Sequence, residues 1–141
     1  GALKDGKSLG TARGFSARDG LMMGTRCGMF DPGALLYMGQ VEGLGWSDLV
    51  DILYRKSGLL GVSGISADMR ALREKLADTD KDDEAERRHI GEALSLFAYR
   101  VVEEIGALTA VMGGLDGLVF TAGIGEHDAA LRAAGLSLIP L

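Results

Sequence analysis

Few residues in this chain have the type and setting to do chemistry. Arg26 stands inside Gly24-Thr25-Arg26-Cys27-Gly28, a glycine-bracketed stretch with one charge in an otherwise uncharged setting. A planar, permanently charged guanidinium suits phosphoryl oxygens or a carboxylate, and flanking glycines let a ligand approach closely. A structural ion pair would use the same residue, and at this level it is the commoner use. The second candidate is Val119-Phe120-Thr121-Ala122-Gly123-Ile124-Gly125-Glu126-His127-Asp128. Gly117 to Thr121 reads as a short strand buried on both faces, Gly123 and Gly125 as a tight turn, and Glu126 with Asp128 to Leu131 as a first helical turn. Ligands of open α/β sheets sit beyond the carboxyl ends of strands, where helix N-termini favour phosphate. Nucleotide binding and a plain strand-to-helix turn both satisfy this pattern. A dinucleotide fingerprint does not, because no third glycine follows until Gly135.

Other reactive side chains fit bland roles better. Cys27 reads as a small buried residue rather than a nucleophile. His127 has only His89 and Cys27 for company, so no metal-ligand cluster is visible and a general-base role is a poor fit. Asp78, Asp80 and Asp82 open like a calcium loop, but Asp83 stands where glycine is needed and His89 where a bidentate glutamate is needed. Calcium is therefore rejected in favour of a solvated connector from Asp78 to Glu86.

The elements that must position these residues follow from pattern. At 141 residues, a single domain with one sizeable core is expected. With 15 Lys+Arg against 20 Asp+Glu, the chain is mildly acidic and has no basic patch or basic helix, which argues against nucleic-acid or membrane-surface partners. One cysteine excludes an internal disulfide and suits a reducing cytoplasm. No apolar run approaches a membrane span and no signal peptide is recognisable; a start at Gly1 suggests a fragment or a processed chain. Glycine, at 22 residues, is about twice its usual share of roughly 7% and reads as tight turns in an α/β domain.

Asp5-Gly6 between Ala2-Leu3-Lys4 and Lys7-Ser8-Leu9 predicts a hairpin, with Gly10 to Ser16 extending its second strand. Asp31-Pro32 predicts a helix start, and Gly39 its end. Ser47 is expected to cap a second helix with Leu49, Val50, Ile52 and Leu53 on its apolar side. Ser57 to Gly64 reads as a loop. Ser66 is expected to cap a helix from Asp68 to about Leu76. From Ala85 to Met112, Ile90, Leu94, Phe97, Val101, Ile105, Leu108 and Met112 recur at three- and four-residue steps, the apolar stripe of a long helix that Gly113-Gly114 stops. Leu136 to Leu141 reads as a last strand.

Taken together, the segments become specific. Gly24-Thr25-Arg26-Cys27-Gly28 with Asp31-Pro32, Ser57-Gly58-Leu59-Leu60-Gly61, Asp68-Met69-Arg70, Gly113-Gly114-Leu115-Asp116, and Phe120-Thr121-Ala122-Gly123-Ile124-Gly125-Glu126 occur in one order. That series closely resembles the acetate/propionate/butyrate kinase family over nearly the whole chain. The resemblance implies an α/β fold, a ribonuclease-H-like domain of the actin-like/sugar-kinase ATPase superfamily with a mixed sheet and flanking helices. Residues 1–141 then correspond to most of the C-terminal, nucleotide-binding domain. It also implies a cytoplasmic, homodimeric enzyme that converts ATP and acetate reversibly to ADP and acetyl phosphate with Mg2+. Propionate or butyrate as acceptor, or a non-catalytic nucleotide-binding interaction module, are the alternatives.

By the same resemblance Arg26 matches the arginine that stabilises the transferring phosphoryl group, reversing the preference for an ion pair. Asp68, Met69 and Arg70 match the segment touching adenosine: an aspartate accepts hydrogen bonds from sugar or base, an arginine stacks on adenine, and Met69 adds apolar contact. Gly123, Ile124, Gly125, Glu126 and His127 match the second nucleotide segment. The family's His-Leu-Gly-Asn phosphate segment, its first domain with the phosphate-loop serines and lysine, a second arginine and the catalytic aspartate, and its magnesium-associated glutamate are not among these residues. Gly10-Thr11-Ala12-Arg13 departs from the usual Asp-Thr-Ser-Met run, and Arg18 stands where an apolar residue or proline is common.

Overall fold

A two-residue hairpin loop requires positive φ at both central positions, and Asp5-Gly6 meets that requirement with φ of 50° and 74°. In a computed structural model, which describes residues 1–16, 19–78 and 83–137, this turn joins β1 (Ala2–Lys4) to β2 (Lys7–Gly10). The strands pair antiparallel, Leu3 with Ser8 and Lys4 with Lys7, with an irregularity between Ala2 and Leu3. The second strand stops at Gly10 rather than continuing to Ser16. Gly10 lies so close to the long helix below that an added Cβ would sit 3.2 Å from Leu108 Cδ2.

The other regular elements among the described residues are helices. Asp31 caps α1 (Pro32–Gln40), its Oδ1 accepting from Gly33 N at 2.8 Å. The next helix, α2 (Trp46–Arg55), is capped at Gly45 and begins two residues earlier than a Ser47 cap would allow. Asp48 in its first turn accepts from Gly45 N at 3.2 Å, so the carboxylate closes the end that Ser47 was expected to close. Leu49 is buried, while Val50 is exposed rather than on the apolar side. The expected loop from Ser57 to Gly64 is instead a short helix, α3 (Gly58–Ser63). Its glycine-rich composition hides it from propensity, and tertiary hydrogen bonds sustain it, as described below.

Asp68, not Ser66, caps α4 (Met69–Ala77). Ser66 Oγ instead accepts from Asp68 N at 3.1 Å, one step upstream. The long helix α5 (Glu84–Met112) is capped by Asp83, whose Oδ1 accepts from Glu86 N at 3.0 Å, and ends at the Gly113-Gly114 pair. Lys4 Nζ donates to the Met112 carbonyl at 2.7 Å, placing a cation at the negative end of α5. Residues 79–82 of the charged connector, Asp80 and Asp82 included, and Arg18 lie outside the described residues.

The predicted strand from Gly117 to Thr121 is not paired into a sheet. A strand is sustained by a neighbour's backbone, and among the described residues the paired strands are β1 and β2. Val119 is 83% exposed, opposite to burial on both faces. Helix α6 (Ala122–His127) then starts within the glycine motif, and after a break at Asp128 α7 (Ala129–Ser137) follows. Leu136 and Ser137 therefore belong to a helix, and Leu138 to Leu141 lie outside the described residues.

Packing is organised by α5. Its stripe residues Ile90 and Phe97, together with Ala93, form the core with Met22, Leu59 of α3, Met69 and Leu72 of α4, and Leu131 of α7. Each fully buried leucine there contributes about 1.5–3 kcal/mol relative to exposure. Lys75 and Glu86 form an ion pair between α4 and α5. No helix among the described residues is long and apolar enough to cross a membrane.

Candidate functional site

Two of the predicted segments meet. A cleft of about 820 Å³ opens between the start of α4 and the α6–α7 junction, lined by Asp68, Met69, Arg70, Arg73, Gly123, Ile124, His127 and their neighbours. The segments are far apart in sequence and share no local reason to be adjacent. Their common support is α5, against which both α4 and α7 pack.

Asp68 holds the first wall. Its Oδ1 accepts from Arg70 N at 2.7 Å and from Ala71 N at 3.4 Å, the geometry of a helix N-cap. This carboxylate is exposed at the cleft rim, with one oxygen committed to the helix. The Met69 side chain is only 5% exposed and belongs to the core, so its apolar surface serves α4 packing. Arg70 is exposed and its Nε donates to Glu74 Oε1 at 2.8 Å. That carboxylate raises the guanidinium's already high pKa further, through the hydrogen bond first and charge second.

The second wall contains an unusual backbone. Ala122, the first residue of α6, has φ of 61°, a left-handed conformation that costs a residue with a Cβ about 1–2 kcal/mol. Ile124 and His127 line the cleft and are exposed, while Gly125 and Glu126 do not line it. The carbonyls of Gly125 and Glu126 accept from Arg132 Nη1 at 2.9 and 2.7 Å. One guanidinium thus satisfies the end of α6, whose last carbonyls have no partner within so short a helix.

Arg26 does not line this cleft. Its loop is stitched to the helices by backbone bonds: Cys27 N to Leu53 O at 3.1 Å, Ser57 N to Thr25 O at 3.0 Å, Leu59 N to Met23 O and Leu60 N to Gly24 O, both at 2.9 Å. The first N–H groups of α3 therefore find acceptors in the loop that carries Arg26, which explains a helix where composition predicts none. Gly58 makes the junction possible with φ of +64°, and a Cβ there would collide with the Met23 carbonyl oxygen. The loop reaches the cleft wall through Gly24, where an added Cβ would lie 2.7 Å from the Ala67 carbonyl, next to Asp68. Arg26 itself is half-buried, with Nη1 3.9 Å from Met23 Sδ and no ion pair among the described residues.

Cys27 is half-buried and its thiol donates to the Gly28 carbonyl at 3.2 Å. Burial raises its pKa, a hydrogen bond from its own backbone opposes this, and Asp19 adds a smaller upward push. A thiol held protonated is a poor nucleophile. Among the described residues no group of three or more His, Cys, Asp or Glu side chains is placed to hold a metal ion.

Arg73 escapes the sequence reading, and Asp128 enters it only as part of a first helical turn, not as a partner for α4. Arg73 lies three residues after Arg70 and Asp128 immediately precedes α7, so helical spacing and cap chemistry were their visible signals. Arg132 was missed for a different reason: its two acceptors are backbone carbonyls, which no side-chain pattern marks.

The fold is α/β, with an arginine loop beside a two-walled cleft, and curated and solved relatives share it. The chain belongs to the acetokinase family, whose model matches residues 1–140. It is 52% identical over 126 residues to the acetate kinase of Rhodopseudomonas palustris (strain TIE-1), covering 89% of this chain and 29% of that protein. The crystal structure of Porphyromonas gingivalis acetate kinase superimposes with a TM-score of 0.87 at 36% identity, over 97% of this chain and 33% of that one. A propionate kinase from Francisella tularensis subsp. tularensis SCHU S4 matches with a TM-score of 0.84 at 35% identity, over 96% of this chain and 33% of that one. These likenesses assign the fold expected from the motifs, the ribonuclease-H-like domain of the actin-like/sugar-kinase superfamily. The chain spans about a third of the length of the relatives it matches.

Proposed function

We propose that residues 1–141 supply the C-terminal, nucleotide-binding part of an acetate kinase that transfers phosphate reversibly from ATP to acetate, giving ADP and acetyl phosphate. The observation that carries this is the meeting of Asp68-Met69-Arg70 with Gly123-Ile124 and His127 across one cleft. Its chemistry suits adenosine: Ile124, Ala129 and Ala130 offer apolar contact, Arg70 a cation able to stack on a ring, and Asp68 an acceptor for ribose or base. Phosphoryl transfer needs positioning and charge stabilisation more than covalent chemistry from the protein. In that scheme Arg26 stabilises the transferring group from the loop beside the cleft. Gly125 and Glu126 lie behind the cleft lining, where Arg132 holds their carbonyls and so the shape of α6.

The described residues do not form a metal site, so Mg2+ is assigned to ligands outside them and no step here runs through it. Propionate or butyrate kinase activity is the second reading, favoured by the structural likeness to a propionate kinase. A cytoplasmic homodimer completes the proposal, on family resemblance. The test is calorimetric titration of ADP into the full-length gene product and its Ile124→Asp variant, with acetyl phosphate formation followed by hydroxamate. Binding weakened about tenfold or more by the charge placed in the cleft supports the reading. Unchanged ADP affinity in Ile124→Asp, or no acyl phosphate from acetate, propionate or butyrate, sinks the reading.

A further inference from the structure

The two walls of the cleft are built on separate helices that share α5 as their base. At the cleft itself they are joined by an ion pair. Arg73 Nε of α4 donates to Asp128 Oδ2 at 2.8 Å across 55 positions of sequence. Asp128 is a well-committed partner: its side chain is 10% exposed, and its other oxygen accepts from Leu131 N at 2.8 Å, capping α7. Arg73 lines the cleft and is about a third exposed. This pair is therefore more sheltered than the exposed i,i+4 pair Arg70–Glu74 or Arg88–Glu92, and desolvation makes its geometry matter more.

We infer that Arg73 and Asp128 act as a positioning pair that sets the separation of the two nucleotide-binding walls. The inference rests on the proposed nucleotide reading of the cleft. A carboxylate that caps α7 with one oxygen and grips α4 with the other ties the start of α7, and the α6 motif ahead of it, to the turn of helix that follows Asp68. Releasing the grip lets the walls reposition while the shared core of Leu72, Ile90 and Leu131 still holds the fold. Arg73 is thus distinct from Arg70, whose fork is paired locally and on the solvent side.

Asp128→Asn keeps an oxygen for the α7 cap and removes the charge. Arg73→Met keeps the length of the stem and removes the fork, and Arg73→Lys keeps the charge without the Nε geometry. In the full-length gene product, ADP affinity by calorimetry, nucleotide and acetate KM, kcat and Tm are measured for each single variant and for Arg73→Met/Asp128→Asn. The expected result is about tenfold weaker ADP binding in Arg73→Met and in Asp128→Asn, a smaller loss in Arg73→Lys, and a double variant no weaker than either Arg73→Met or Asp128→Asn. Acetate KM stays within about twofold. A purely structural pair lowers Tm and leaves ADP affinity untouched, and that result overturns the inference, as does additive loss in the double variant. Wild-type protein that binds no ADP, or an Ile124→Asp variant that binds normally, removes the nucleotide reading and the pair's role with it. Normal wild-type binding with unaffected Arg73 and Asp128 variants removes the pair's role alone.

Discussion

At the residue scale, the two side chains of the arginine loop divide by electrostatics. Arg26 is half-buried without a carboxylate partner among the described residues, so its charge is available to a ligand. On the proposed role, Arg26→Ala in the full-length enzyme lowers kcat by about 100–1000-fold while nucleotide KM moves little, as for loss of one transition-state donor. Arg26→Lys fails to restore the rate, because a point charge does not reproduce a fork. Steady-state turnover matching wild type in either variant removes Arg26 from the chemistry. Cys27 carries the opposite expectation. Its pKa is raised on folding, so the native state holds the thiol proton more firmly than the unfolded chain does. That contribution to stability is fully present below the unfolded thiol pKa and is lost as pH rises through the higher folded value. Iodoacetamide at pH 8 should alkylate Cys27 more slowly in the native protein than in urea, and equal rates contradict the assignment. Ala122 has strain to release: Ala122→Gly should raise Tm, because glycine adopts positive φ without the Cβ penalty of about 1–2 kcal/mol.

At the element scale, α3 shows how a helix can exist for the sake of a loop. Gly58 to Ser63 has weak helix propensity, yet Leu59 is fully buried and the first turn donates to the carbonyls of Met23 and Gly24. Gly58→Ala should therefore cost about 1–3 kcal/mol, through positive φ and the clash with Met23 O, and should disturb the Arg26 loop as well. Thermal melts with turnover assays on the full-length protein test both effects, and a variant with normal Tm refutes the coupling. Asp68→Ala should remove about 1 kcal/mol of N-cap stabilisation from α4. The elements with local causes were legible: the Asp5-Gly6 hairpin, the Asp31 cap and the α5 stripe all appear at their expected places. The Ser47 and Ser66 caps are displaced because carboxylates close these helix starts instead, Asp48 accepting from Gly45 N and Asp68 from Arg70 N and Ala71 N.

At the scale of the whole molecule, one helix serves as a base for everything that could bind. Met22, Leu59, Met69, Leu72 and Leu131 all pack on the first half of α5 around Ile90 and Phe97. Ile90→Ala should cost about 2–5 kcal/mol by leaving a cavity in the core that α3, α4, α5 and α7 share, and should loosen both cleft walls together. Loss of ADP affinity in step with Tm, seen by calorimetry, is the expected signature. Residues 1–141 alone should make no acetyl phosphate, because one arginine loop and one two-walled cleft do not supply an acceptor site or a metal. Hydroxamate detection of acyl phosphate from the purified segment is enough to reject that expectation.

The candidate site was half-legible for a physical reason. Arg26 and the Gly123-Ile124-Gly125 turn stand out by type and setting, since glycine-flanked cations and glycine turns are local patterns that need no knowledge of neighbours, whereas Asp68 to Arg70 and the roles expected of all three segments come from the family resemblance. Even the α5 stripe announces that it must pack, although not against what. The tertiary structure decided which segments share a space: Asp68 and Ile124 line one cleft, while Arg26 stands outside it on a loop that touches the wall at Gly24. It also decided that Gly117 to Thr121 is left unpaired, because a strand exists only where another backbone supplies its hydrogen bonds. Arg73 and Asp128 came from the same source. Distances across 55 residues are set by packing on α5, and no spacing along the chain encodes them.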